Sequence, residues 1–181
     1  KDNIDLIREK LSHIMNTDLL VTIGGASVGD YDLIRKILCE DKNTIKIGRV
    51  AMRPGKPLIF GNINGTPMLG LPGNPVSAGV TAILFLVPTI NKLLGSDNYK
   101  NPVESAITTV NLEENDSRQD YLRAKLNIKK NGELSATPFN YQDSSMLLNF
   151  AKAECLVVRP PFAKALKKGS RVKVIRLDHF L

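Results

Sequence analysis

Apolar positions in the first fifteen residues fall at helical spacing. Ile4, Ile7, Leu11 and Ile14 lie three or four apart with charges between them, which predicts an amphipathic helix ending near Asn16. The pattern then changes. Leu19-Leu20-Val21-Thr22-Ile23 is a short β-branched run that stops at Gly24-Gly25, the pattern of a buried strand in a parallel sheet covered on both faces. Asp30 to Glu40 returns to helical spacing through Leu33, Ile34, Ile37 and Leu38, with Asp30 as N-cap. Strand, glycine turn and helix in that order make half of a βα unit.

Three strands are predicted next. Ile45 to Ala51 alternates apolar with polar or small residues and breaks at Arg53-Pro54-Gly55-Lys56-Pro57. Leu58-Ile59-Phe60 leads to a hairpin at Asn62 to Gly65, and Pro67 to Leu71 follows. From Asn74 to Leu94 the spacing is helical, with Asn74 as N-cap, Pro75 at the first helical position and Gly95 as C-cap. Pro88 is expected to kink or divide this helix. Ser96 to Pro102 reads as a polar linker.

Beyond the linker the segments are strand-like: 103–112, 121–128, 134–137, 155–159 and 171–177, with Asn131-Gly132 joining two of them and a short helix over 144–150. The division is an α/β unit over 1–97 and an all-β unit over 98–181, whose five strands are near the size at which barrel closure protects edges.

Charge adds to this picture. Of the net +7, the first unit carries +2 and the second +5, which favours an anionic partner. Nucleic acid fits poorly, because Trp is absent and basic residues are not interleaved with aromatics. The longest apolar run, Val80 to Pro88, is far short of the roughly 20 residues of a membrane span, so no membrane partner is expected. Cys39 and Cys155 have no Cys or His neighbours at ligand spacing, which argues against a disulfide framework or a zinc site and for reduced cytoplasmic thiols.

Three loops have the residue types of anion sites. Gly24-Gly25-Ala26-Ser27-Val28-Gly29-Asp30-Tyr31-Asp32 joins a strand to a helix; its glycines let backbone N–H groups approach an anion, and Asp30 and Asp32 are oxygen donors of the kind Mg²⁺ takes. In Arg53-Pro54-Gly55-Lys56-Pro57, two prolines stiffen a loop bearing two cations, which suits an oxyanion such as phosphate or molybdate. Gly70-Leu71-Pro72-Gly73-Asn74-Pro75-Val76-Ser77 again joins a strand to a helix start, with Ser77 in the first turn. Each also suits a simpler role: a tight turn with an acidic cap, a stiff surface turn, a proline-rich helix start. Three in one α/β unit shift the balance toward a ligand site.

In this order and spacing, GGASVGDYD, RPGKP and GLPGNPVS resemble the molybdopterin molybdenumtransferase family, the MoeA proteins and the E domains of gephyrin and plant Cnx proteins. Asp120-Tyr121-Leu122-Arg123 and Gln142-Asp143-Ser144-Ser145 look like that family's segments in its β domain. The resemblance implies a partial MogA-like three-layer α/β domain followed by a small β-barrel-like domain. It implies insertion of molybdate into adenylylated molybdopterin, with Mg²⁺ and release of AMP. Carried over motif by motif, Asp32 matches the catalytic, metal-associated aspartate. Arg53, Lys56, Pro57, Ser77, Arg123 and Ser144 match the molybdate pocket, Lys56 as a catalytic residue too. Gly24, Gly25, Ser27, Gly29, Gly73 and Asn74 fall in loops near the pterin phosphate and AMP.

Family members also carry N-terminal domains that make a homodimer and complete the site, an acidic STGDEL-like segment, and a strand ahead of the first one here. The sequence is therefore expected to be a C-terminal fragment, inactive alone. A MogA-like adenylyltransferase is the partner the resemblance suggests. Two other readings are a MogA-like adenylyltransferase activity of its own, against which the β domain counts, and a gephyrin-like scaffold binding receptor peptides.

Overall fold

The computed structural model describes residues 3–14, 16–24, 33–39, 43–143, 146–178 and 180. The chain forms two compact units, one of residues 1–50 and 55–97 and the other of 51–54 and 98–181. Ala51–Pro54 belongs to the second unit, because its strand pairs there.

The first unit begins with α1 (Ile4–Ser12), capped by Asn3, whose side chain accepts the N–H groups of Asp5 and Leu6. Then come β1 (Leu20–Ile23), α2 (Leu33–Leu38), β2 (Thr44–Ile47), β4 (Ile59–Ile63) and β5 (Thr66–Leu71). The intervening β3 (Met52–Arg53) lies in the other unit. The sheet order is β1-β5-β4-β2, with β1 parallel to β5 and the other pairs antiparallel. The sheet is thus mixed rather than parallel throughout. On one face α1 and α2 pack Leu11, Ile34, Ile37 and Leu38 against Ile59, Ile63 and Met68. On the other, Leu58, Leu69 and Leu71 meet Ala82, Phe85 and Leu86 of a long helix, which completes three α/β layers.

That helix runs as α3 (Pro75–Thr81), a π-helical segment (Ala82–Leu86) and α4 (Val87–Leu93). Pro88 has no N–H and its ring would crowd the carbonyl four residues back, so a wider turn just before it accommodates the proline without ending the helix. Taken together, Pro75–Leu93 is one helix of 19 residues, long and apolar enough by length and composition alone to cross a membrane, a test that core helices also pass. Val76, Val80 and Ile83 are buried in the unit.

β1 differs from expectation. It pairs on one side only in the described sheet, its residues alternate in burial, and Ile23 is 71% exposed. An apolar run with a neighbour on one side only is half covered, however buried its composition looks. The predicted strand over 45–51 is shorter than expected, and an unpredicted two-residue strand follows it. Thr44–Ile47 pairs with β4 through an irregularity between Ile45 and Ile47, and Met52–Arg53 pairs elsewhere.

The second unit contains β3, β6 (Glu104–Thr108), β7 (Gln119–Ile128), β8 (Leu134–Pro138), α5 (Leu147–Ala151), β9 (Cys155–Arg159) and β10 (Arg171–Arg176). Its order β7-β8-β6-β10-β9 closes because β9 returns to pair with β7, a five-stranded barrel to whose wall β3 adds in parallel. The ten-residue β7 makes closure possible, pairing Asp120–Ala124 with β9 and Ala124–Ile128 with β8. Ala106, Ala124, Ala136, Cys155, Val157, Val172 and Val174 fill the interior.

Candidate functional site

Three segments of the first unit leave the sheet at one end. β1 and β5 are parallel with Ile23 opposite Leu71, so Gly24 and Pro72–Asn74 emerge side by side. β4 runs against β5 with Ile59 opposite Gly70, which brings the turn before β4 to that same end. This turn carries Lys56 and Pro57, closed by the Leu58 N–H donating to Gly55 C=O at 3.1 Å and held by the Val50 N–H donating to Lys56 C=O at 3.1 Å. The carboxyl ends of parallel strands are where open α/β sheets bind ligands.

Gly24 and Gly73 bring two of these segments into contact. The Gly24 N–H donates to Leu71 C=O at 3.0 Å, and a Cβ built on Gly73 would stand 3.3 Å from the Gly24 Cα. Gly24 also has φ +81°, a conformation that L side chains rarely adopt. Gly24 therefore needs glycine, Gly73 leaves little room for a side chain, and both leave backbone open to a ligand.

Asn74 acts as the N-cap of α3, its side-chain oxygen accepting the Ser77 N–H at 3.1 Å, with Pro75 in the first turn. Ser77 is buried, and its C=O accepts the Thr81 hydroxyl at 2.7 Å. The Lys56 side chain is exposed and makes no ion pair or hydrogen bond with any described residue. Gly25, Ser27, Gly29, Asp30, Asp32 and Ser144 lie outside the described residues.

The two arginines expected at the oxyanion have other partners. Arg53 and Lys56, read as one cationic loop, fall in different units. Arg53 forks onto Asp120, Nε to Oδ1 at 2.9 Å and Nη2 to Oδ2 at 2.6 Å, and its Nη1 lies 3.5 Å from Asp116. Asp120 holds its pKa above the usual arginine value. The guanidinium thus ties β3 to β7 instead of standing free for molybdate.

Arg123 is 1% exposed. Its guanidinium donates to the C=O of Gln142, to Asp143 C=O at 3.3 Å and to Tyr121 C=O at 3.4 Å. In return the Gln142 amide donates to Arg123 C=O at 2.9 Å and accepts the Arg123 N–H at 2.9 Å. Burial pushes the Arg123 pKa down, opposed by Asp120 and Asp143. Only Nε, itself buried, lacks a partner among the described residues. Arg123 therefore fastens the Gln142–Asp143 segment and is not presented to solvent.

Sequence reasoning quoted Asp120 and Gln142 within family-like segments without giving either a role, and missed Arg159. Asp120 and Arg159 face each other across β7 and β9. Arg159 Nη2 donates to the carbonyls of Glu113 and Lys164, each at 2.8 Å, and burial lowers its pKa. The signal was present: Asp120 continues the inward parity of Leu122 and Ala124, and Arg159 that of Cys155 and Val157. Opposite charges prolonging two inward stripes mark a barrel end closed by polar contacts. Among the described residues no group of three or more His, Cys, Asp or Glu could hold a metal.

Comparison with known proteins agrees with this architecture. Residues 1–92 match the family described as probable molybdopterin binding domain, and residues 105–177 the MoeA C-terminal region, domain IV. The molybdopterin molybdenumtransferase of Haemophilus influenzae is 34% identical over 165 residues, 91% of this chain and 41% of that protein. The molybdenum cofactor synthesis protein cinnamon of Drosophila melanogaster is 36% identical over 172 residues, 91% of this chain and 28% of that protein. A crystal structure of the molybdopterin biosynthesis MoeA protein from Pyrococcus horikoshii superposes with a TM-score of 0.70 at 26% identity, covering 96% of this chain and 40% of that one. The chain thus spans less than half the length of each. With each unit matched in turn, and in the same order, the chain belongs to the MoeA family of molybdopterin-binding proteins of molybdenum cofactor biosynthesis.

Proposed function

We propose that the whole protein is a molybdopterin molybdenumtransferase, inserting molybdate into adenylylated molybdopterin and releasing AMP. The observation that carries this reading is the convergence of Gly24, the Lys56–Pro57 turn and Pro72–Asn74 at the carboxyl end of the parallel pair β1 and β5. Gly24 and Gly73 offer backbone that a phosphate can approach closely, and Lys56 offers an uncommitted positive charge for the oxyanion. The loop over 25–32, with Ser27 and Asp32, follows β1 directly. Mg²⁺ would neutralise phosphate charge during the transfer; its assignment to Asp32 rests on the resemblance alone.

Arg123 enters this reading only within its own unit, where it fastens the Gln142–Asp143 segment. The same reading makes the whole protein a cytoplasmic homodimer that receives its adenylylated substrate from a MogA-like adenylyltransferase. Gly73→Ala tests the site. Its Cβ would press on Gly24 at 3.3 Å and move the two segments apart. Titration of adenylylated molybdopterin followed by pterin fluorescence should then show affinity reduced about tenfold, the loss of roughly one hydrogen bond to a charged group. Unchanged affinity would remove these loops from the binding site.

A further inference from the structure

The barrel has a gap in its wall. β6 pairs with β10 from Glu104 to Ile107, but with β8 only at Ile107–Ser135 and Thr108–Ala136. Below Ile107 the two strands diverge, because β8 there turns away with β7 into the hairpin at Asn131-Gly132, closed by Lys129 and Glu133. The divergence opens a cleft of about 530 Å³. One wall is Glu104–Ile107, the other Ile128 and Gly132–Leu134, and Arg171 and Arg176 of β10 complete it.

Backbone groups along β6 alternate between its two neighbours. The Thr108 N–H donates to Ser170, beside β10, and the Thr109 N–H to Ala136 of β8. By that alternation the Ser105 N–H and C=O point toward β8, where the ladder has already ended. Apolar surface stands beside this open edge: Ile128 is 64% exposed and Val103 54%. Two acids and two bases line the cleft, but both acids are engaged. Glu133 is paired with Lys129, and Glu104 lies 3.9 Å from Arg176, which also binds Asp178. Arg171 and Lys173 have no ion-pair partner among the described residues.

We propose that this cleft binds an extended acidic peptide segment of another protein, which adds to β6 as a short strand. Ser105 would supply the main-chain donor and acceptor, Ile128 the apolar contact and Arg171 the attraction for acidic side chains, with Val103 and Lys173 of the adjoining cleft extending both. The cleft lies wholly in the barrel, so the proposal stands apart from the transferase reading and is tested separately.

The test is an amide NMR titration of the 181-residue chain with a blocked hexapeptide of alternating Glu and Val, and with the same peptide carrying Lys in place of Glu. Saturable shifts at Ser105, Ile107 and Leu134, slowed exchange of the Ser105 amide, and binding at least tenfold weaker for the Lys peptide support it. Ser105→Pro removes a donor that faces away from β10, and Ile128→Glu adds like charge to the wall; each should weaken binding about tenfold. Should Ser105→Pro fail to fold, Ile128→Glu decides. Three results overturn the proposal: no saturable shift up to millimolar peptide, equal binding of the Lys peptide, or Ser105 protection that grows with protein concentration without peptide, which would assign the cleft to a second copy.

Discussion

Arg53, Arg123 and Arg159 are each positively charged, yet the fold uses all three as fasteners of the barrel unit. Arg123 is the most committed, with its guanidinium on backbone carbonyls of Gln142, Asp143 and Tyr121. Arg123→Ala would leave those buried carbonyls short of donors and should destabilise the second unit by about 3 kcal/mol. Arg123→Lys should restore little, since an ammonium cannot reproduce the planar fork. Urea unfolding checks both. Cys155 makes a second case at this scale. Burial, with a smaller contribution from Glu154, pushes its thiol up to about 12, against about 8.5 in an unfolded chain. The folded state thus holds this proton more tightly, so stability should fall as pH rises from about 8.5 toward 12. At pH 8 a thiol reagent should label the exposed Cys39 at once and Cys155 only after denaturant is added.

At the scale of elements, the long helix shows what local pattern conveys and what it omits. Asn74, Pro75 and the apolar spacing through Val80 and Ile83 marked its start and buried face, and Gly95, at φ +79°, its end. Asn74→Ala should cost about 1 kcal/mol through the lost cap, lowering Tm by about 2–4 °C in thermal unfolding. Pro88 signalled a disturbance, but not its form, a π turn within a continuous helix whose Ala82, Phe85 and Leu86 pack against Leu58, Leu69 and Leu71. Strand partners were the least legible feature. Val21 and Ile23 read as buried, yet composition does not specify how many neighbours a strand has. Arg53 reads as the start of a loop and Met52 falls outside any predicted strand, because nothing local shows that Arg53 finds Asp120 67 positions away. In the site, glycines and caps were readable from the sequence. The fate of each arginine was not, since that depends on long-range partners.

For the whole molecule, the chain passes between its units at three points, Val50–Ala51, Pro54–Gly55 and Asp97–Asn98, rather than once. The motif Arg53-Pro54-Gly55-Lys56-Pro57 straddles one of these crossings, so its two cations have separate duties: Arg53 fastens β3 to the barrel wall, and Lys56 stands at the open end of the α/β sheet. The transferase account therefore places its weight on Lys56 as the described cation available to an oxyanion in the first unit. The most direct measurement is AMP release from adenylylated molybdopterin by the whole protein, with and without molybdate, for the wild type and Lys56→Ala. The account predicts molybdate-dependent release in the wild type and, in the variant, a molybdate requirement raised about 10- to 150-fold, the loss of one charge-assisted contact. Release independent of molybdate, or a variant indistinguishable from the wild type, would contradict it.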